Sequence, residues 1–375
     1  MLGLAFACLG LLVYTYVGYP LLVALAARLW PAPRVTASSE TPLVSVCLPV
    51  FNAEGFIDAK LESLLGLDWP AQALEVLVFD DGSSDGTAAA LAAWERKEPR
   101  VRLFQGEGRA GKPSALNRLA AEARGEVLFL TDVRQLLHPA ALRALVRILL
   151  TPDVGMVSGN LELRGAAGSG MYWRYEKWIR ANEARFRSLV GVSGAVAAVR
   201  KADLPALPAD LILDDVYTPM CLRLAGRRVV LAQDALAYDE AFEDDREFAR
   251  KVRTLAGNFQ LFAKLPRLLV PIVNPSWFET VSHKLARLLC PVGLFGLLLA
   301  SVALSVVPPA EEPRFVSSQA AGVALLLGQS AFYVGALAGR RAGKLGTLCR
   351  TFVVLHMAVV VGFYRFLRGR QRVTW

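Results

Sequence analysis

The chain has 375 residues, a formal net charge of +9 and a hydrophobic fraction of 54%. Two soluble domains of about 150 residues would fit that length, but the apolar fraction is too high for them and points to membrane spans. Five scattered cysteines (Cys8, Cys47, Cys221, Cys290, Cys349) without a CxxC pair argue against a disulfide framework. Three distant histidines (His138, His283, His356) give no zinc cluster. The basic residues sit beside apolar runs rather than interleaved with aromatics, which favours lipid over nucleic acid.

Met1 to Ala27 carries no charge and exceeds the ~20 apolar residues a span needs. It lacks the basic start of a signal peptide, so residues 1–29 read as a retained anchor. A Pro/Ser/Thr-rich linker, 30–42, follows. Residues 43–262 then read as an α/β domain. Its strands are "LVSVCLPV", "EVLVFD", "VRLF", "EVLFLT", "VGMVSG", "GAVAAVR" and "RRVVLA". Helical runs such as "GFIDAKLESLLGL", "GTAAALAAWERK", "PSALNRLAAEA" and "PAALRALVRILL" separate several of them. That alternation predicts a mainly parallel sheet covered on both faces, with ligands at the carboxyl ends of its strands.

Residues 263–287, with Trp277, Phe278, Lys284 and Arg287, read as an interfacial segment. Residues 288–375 read as a membrane region with about three spans: Leu288 to Val307, Ser318 to Leu337 and Thr351 to Leu367. The loop from Pro308 to Ser317 carries Glu311 and Glu312; the loop from Gly339 to Arg350 is basic. Positive-inside logic makes the chain integral to a bacterial-type inner or plasma membrane, with the α/β domain cytoplasmic. One conflict follows. If the last span crosses, the basic tail "RGRQRVTW" lies outside; otherwise that segment does not cross fully.

The chemistry concentrates at "FDDGSSDGT", where Asp80, Asp81 and Asp85 stand between a strand and a helix. An EF-hand fits poorly, because its twelfth position is Ala92 and a strand precedes the loop. Helix capping accounts for Asp85 but not for the adjacent pair. A nucleotide site accounts for the pair, although the first strand is followed by "FNAEG" and not GxGxxG. Three further features join it. Lys112 in "GRAGKPSALN" opens a helix, where phosphate binds. Asp132 ends the strand in "EVLFLTDVRQ". Asp214 and Asp215 precede the helix in "LILDDVYTPMCLRLAGRRVV".

Together, from Pro42 to about Gln260, these motifs resemble the family 2 membrane glycosyltransferases of GT-A fold, the group of the cellulose, hyaluronan and poly-N-acetylglucosamine synthases. The resemblance implies a Rossmann-like nucleotide-diphospho-sugar transferase domain and a hexosyl- or N-acetylhexosaminyl-transferase activity. It implies that Asp81 contacts uracil beside Asp80, with Pro49, Phe51, Asn52 and Glu54 around base and ribose. Lys112 would approach the diphosphate and Asp132 would hold Mg²⁺ or Mn²⁺. Asp215, next to Asp214, would be the catalytic base. "RKVRT", Arg250 to Thr254, lies where processive synthases carry Q(Q/R)xRW, so Arg253 would stabilise the leaving diphosphate. "GVSGAVAAVRKADL" is similar to the acceptor-side segment, with Gly194 and Arg250 on that side.

Two positions depart from the pattern. Arg134 replaces the second metal-binding acid; either one carboxylate suffices for the cation, or Arg134 itself neutralises the diphosphate. Thr254 replaces the Trp that would stack on an acceptor sugar. The implied partners are a UDP-sugar donor, a glycan or lipid-linked acceptor and the bilayer, without nucleic acid; an export or assembly subunit stays open. The run "MYWRYEKWIRANEARFR" is expected to lie on the membrane as an amphipathic helix, with sugar stacking as the alternative. Rival readings are a single-transfer lipid glycosyltransferase and a non-catalytic nucleotide-sugar-binding membrane subunit.

Overall fold

A computed structural model describes residues 1–32, 34–36, 38–106, 108–164, 170–240, 244–306 and 318–371. The chain forms two compact units. One comprises Val23–Phe242 and Gln260–Trp277; the other comprises Met1–Leu22, Glu243–Phe259 and Phe278–Gln371.

In chain order, α1 (Leu2–Val13) and α2 (Tyr19–Leu29) make one apolar helical stretch of 28 residues. The α/β unit then follows. Its strands are β1 (Val44–Val50), β2 (Leu74–Asp80), β3 (Val101–Gln105), β4 (Val127–Leu130), β5 (Leu136–Leu137), β6 (Val154–Arg164), β7 (Ala197–Arg200) and β8 (Arg228–Glu240). Its helices are α3 (Glu54–Leu65), α4 (Thr87–Lys97), α5 (Lys112–Glu122), α6 (Ala141–Leu149), α7 (Gly170–Phe186) and α8 (Asp214–Leu224).

The sheet runs β3-β2-β1-β4-β7-β6-β8-β5. The first four strands are parallel, and β1, β2 and β4 are buried along their whole length. Such strands read as unbroken apolar runs because both faces are covered. Alternate residues feed two cores. Val44, Val46, Leu48 and Val50 pack with Ile57, Leu61 and Leu145, while Cys47 and Leu77 pack with Leu116 and Leu119. Each such fully buried side chain contributes about 1.5–3 kcal/mol.

The expectation of a mainly parallel sheet holds for that half and for the long pairing of β6 with β8, with antiparallel exceptions. β7 is antiparallel to both β4 and β6, and β5 is antiparallel to β8. Pro49 is accommodated near the end of β1, past the last residue that pairs with β4, so its missing N–H breaks no bond on that side.

α7 also departs from expectation. Rather than resting wholly on a membrane, it buries Ile179 and Glu183, and Arg180 Nη2 donates to Ser158 Oγ of β6 at 3.1 Å. Met171 and Trp178 remain exposed.

The second unit holds most of α9 (Asp244–Lys264), then α10 (Trp277–Glu279), α11 (Ala286–Val306), α12 (Ser318–Ala338) and α13 (Gly343–Leu367). Two C-terminal stretches are long and apolar enough to cross a membrane, Trp277–Val306 and Ser318–Leu367. The second is α12 and α13 broken by the turn Gly339–Ala342. Where about three C-terminal spans were expected, these two stretches hold three helices, α11, α12 and α13. The acidic loop with Glu311 and Glu312 lies outside the described residues.

Candidate active site

The sheet brings the carboxyl ends of β2 and β4 side by side across β1, and the acid motifs sit there. Asp80 closes the acid turn on itself. Its Oδ1 accepts from Ser83 N–H at 3.0 Å and from Ser83 Oγ at 2.6 Å. Asp85 accepts from Thr87 N–H at 3.1 Å, but the N-cap of α4 is Gly86 and carries no side-chain cap bond, so Asp85 braces the turn before the helix and does not cap it.

Asn52 stitches this turn to the end of β1. Its N–H donates to Ser83 Oγ at 2.9 Å, and its Oδ1 accepts from Ser84 N–H at 2.8 Å. Asn52 does this at φ 45°, a conformation that asparagine tolerates better than most residues. Glu54 Oε2 accepts from Gly86 N–H at 3.1 Å. Phe51 is half-buried, with the Arg109 guanidinium 3.7 Å from its ring centroid; sequence reasoning did not single out Arg109.

Asp81 is fully buried. Oδ1 accepts from Ala110 N–H at 2.8 Å, and Oδ2 accepts from Gly111 N–H at 3.0 Å. Asp81 thus anchors the loop that delivers Lys112; a direct base contact would require that loop to move. Gly111 stands at φ 87°, which a side chain would strain, and it opens α5 at Lys112.

Lys112 is where the motifs meet. Its Nζ lies 2.8 Å from Asp132 Oδ1 and 3.2 Å from Asp214 Oδ2. Burial works to lower its pKa, but Asp132, Asp214 and Asp215 prevail and hold the ammonium well above the usual lysine range. Gly194 lies over the same group. A Cβ there would sit 3.3 Å from Asp132 Oδ2, 3.3 Å from Lys112 Nζ and 4.0 Å from Asp215 Cβ. Asp215 is tied to this loop by its carbonyl, which accepts from Val192 N–H at 2.8 Å. Arg250 and Arg253 lie on α9 in the helical unit, Arg250 exposed and Arg253 half-buried.

Arg134, in the place of the second acid, turns to β8. Its Nη2 is 3.0 Å from Asp239 Oδ1, and Gln135 Nε2 donates to Asp239 Oδ2 at 2.7 Å. Sequence reasoning missed Asp239. It also missed Lys60, a fully buried lysine on α3 whose Nζ donates to Thr131 Oγ1 at 2.8 Å and to Gln135 O at 2.7 Å. Thr131 Oγ1 passes on a bond to Ala195 O at 2.7 Å, joining the Asp132 loop to the Gly194 loop. Burial pulls Lys60 down to about 7, against the opposing charge of Asp132. Arg180 was also missed. Burial lowers its pKa against the pull of Glu183, Glu176 and Asp215, so its guanidinium lies within the field of Asp215.

Among the described residues no group of three or more His, Cys, Asp or Glu could hold a metal ion. Asp132 offers a hard oxygen on a side chain that is 40% exposed. One carboxylate completed by water and substrate oxygens is an arrangement that Mg²⁺ accepts, so these residues fit a cation arriving with substrate.

Residues 45–204 match the model of the glycosyl transferase family 2. The beta-monoglucosyldiacylglycerol synthase of Synechocystis sp. is 28% identical over 174 residues, 45% of this chain and 36% of that protein. Glycosyltransferase GlyG of Streptococcus pneumoniae is 26% identical over 118 residues, 32% of this chain and 38% of that protein. The match thus spans a little over a third of the length of these relatives. A solved mannosyltransferase from Pyrobaculum calidifontis, in complex with GDP-Man and Mn²⁺, superposes with a TM-score of 0.77 over 98% of this chain and 99% of its own, at 24% identity. That likeness establishes a common fold along nearly the whole chain. Residues 45–204 thus resemble the glycosyl transferase family 2, and the chain shares its α/β fold with that solved structure.

Proposed function

We propose that the chain is a membrane-bound inverting glycosyltransferase. It would move a sugar from a nucleotide-diphospho-sugar, read from sequence as a UDP-sugar, to a polysaccharide or lipid-linked acceptor. The observation that carries this is the convergence of Lys112, Asp132, Asp214 and Asp215 under Gly194, at the carboxyl ends of parallel strands.

Asp215 takes the proton of an acceptor hydroxyl as that oxygen attacks the anomeric carbon. The bond from that carbon to the phosphate oxygen breaks, and its electron pair leaves with the nucleoside diphosphate. Attack opposite the leaving group inverts the anomeric centre, and general-base help contributes roughly 10²- to 10⁴-fold. Lys112 keeps its charge in this site and supplies a fixed cation for the diphosphate. Asp132 would hold a divalent cation, which supplies further charge neutralisation for the leaving group; the Mn²⁺ of the Pyrobaculum neighbour supports this. Arg253 is assigned to the leaving diphosphate, and Arg250 to the acceptor side. Phe51, Asn52 and Glu54 are assigned to the nucleoside, on a turn supported by Pro49, Asp80 and Asp81.

The three apolar helical stretches support integration into a membrane; the cytoplasmic placement of the catalytic domain rests on the basic loop of residues 339–350. The Synechocystis relative, named for a glycolipid product, favours a lipid acceptor as the second reading. Offering UDP- and GDP-sugars to purified membranes tests the reading. Release of nucleoside diphosphate from one donor supports it, and product size separates polymer synthesis from a single lipid adduct. Binding without release from any donor would favour the non-catalytic subunit instead.

A further inference from the structure

We propose that α13 does not cross the bilayer but lies in the headgroup layer at the end of the helical unit where the chain enters the α/β unit. There its second half docks on anionic phospholipid. This rests on the reading that the other apolar stretches span a membrane.

The levels within the helical unit can be read from contacts. α12 begins beside the end of α11: Gln319 Nε2 donates to Ser305 O at 3.2 Å, and α12 packs closely on Leu304 at Gly322. α12 has 21 residues, or about 31 Å, so Ala338 arrives at the opposite end. That is the end where α11's stretch begins and where the Tyr19 and Phe278 rings meet at 5.5 Å. It is also where the chain leaves this unit, after Leu22 and before Phe278.

α13 starts there. Its first turns run back along α12. A Cβ on Gly335 would lie 3.7 Å from Cys349 Sγ, and the Phe332 and Phe352 rings are 5.4 Å apart. A simple hairpin would carry Gly362 on to the Leu304 end. It does not go there. His356 Nε2 is 3.1 Å from Tyr16 Oη, close to the Tyr19 end. A Cβ on Gly362 would lie 3.0 Å from Ala256 N and 3.1 Å from Val252 O of α9. Phe259, the last residue before the chain passes into the α/β unit, lies 4.9 Å from Phe363, ring to ring. Both ends of α13 therefore lie at the same end of the unit.

The side-chain pattern agrees. Cys349, Phe352, His356, Val360, Phe363 and Leu367 recur at helical spacing along one stripe. Its first half packs on α12 and Tyr16. In its second half Val360 is 56% and Leu367 64% exposed, while Phe363 lies on Phe259 and the neighbouring Gly362 meets α9. The side that faces the bundle at the start of the helix thus opens outward at Val360 and Leu367, as it would toward lipid. Arg365, Arg368 and Arg370 follow directly, a cationic border matched to lipid phosphate. This placement puts the basic loop after Ala338 and the basic tail on one side, removing the charge conflict in the sequence.

Reporter fusions test the placement. Alkaline phosphatase is joined after Trp375 and, separately, within residues 308–317, in the full chain. The proposal expects an inactive C-terminal fusion, a fluorescent C-terminal GFP fusion and an active 308–317 fusion. An active C-terminal phosphatase would overturn it. If the 308–317 fusion is also inactive and alkaline carbonate strips the chain from membranes, the spanning reading fails instead. For the lipid, the triple variant Arg365→Gln, Arg368→Gln, Arg370→Gln, purified in neutral detergent, should retain severalfold less phosphatidylglycerol relative to phosphatidylcholine. Unchanged retention would overturn the anionic partner.

Discussion

Lys112 Nζ and Asp132 Oδ1 lie 2.8 Å apart, and this pair joins the helix start of α5 to the loop after β4. Burial of this lysine works against its charge. Three acids keep it charged, so charge is stored where a diphosphate would need it. Removing the lysine should be felt twice. Lys112→Met is expected to weaken binding of nucleoside diphosphate at least tenfold by calorimetric titration. It should also lower Tm, because Asp132 and Asp214 lose their shared partner.

Gly194→Ala places a methyl group 3.3 Å from both Asp132 Oδ2 and Lys112 Nζ. Neither group can retreat without weakening the pair. The variant is expected to keep its Tm within a few degrees and to lose turnover by about tenfold or more, in proportion to the ~1 Å tolerance of reacting geometry. Unchanged kcat would mean that Gly194 only packs.

Lys60 gives a pH signature. Its folded pKa is about 7 against 10.5 for the free side chain. Between those values the unfolded chain holds a proton that the folded chain lacks. Stability therefore rises with pH across that window, by at most ~1.4 kcal/mol per pH unit, and is level in this respect below pH 7. Lys60→Met should abolish that slope in thermal melts between pH 7 and 10. It should also reduce transfer, because Thr131 and Gln135 lose the group that holds both ends of the Asp132 loop.

The parts of this site that were legible in sequence share a cause. β1, β2 and β4 are buried on both faces, so their apolar runs and the acids at their ends stand out in one dimension. Lys60 does not stand out: in "FIDAKLESLL" it looks like an ordinary helix cation, and only the tertiary fold buries it. Asp239 and Arg134 are distant in sequence and meet because β5 pairs with β8. β7 reads as another apolar strand, but its antiparallel insertion depends on which neighbours it finds. α13 is apolar enough to cross a membrane, and only its contacts with Tyr16 and α9 say otherwise.

Chelation separates two roles at the departed metal motif. Asp132 offers one carboxylate, and Arg134 is committed to Asp239. EDTA is therefore expected to abolish transfer, with Mg²⁺ or Mn²⁺ restoring it. Full activity in chelator would assign diphosphate neutralisation to Lys112 without a cation.

Asp215 is proposed as the base of a glycosyl transfer. Asp215→Asn preserves shape while removing the proton acceptor, so one experiment measures donor binding and transfer in the same membranes. Nucleotide-sugar affinity is expected to be unchanged, with transfer reduced by roughly 10²- to 10⁴-fold. Near wild-type transfer by Asp215→Asn would contradict it.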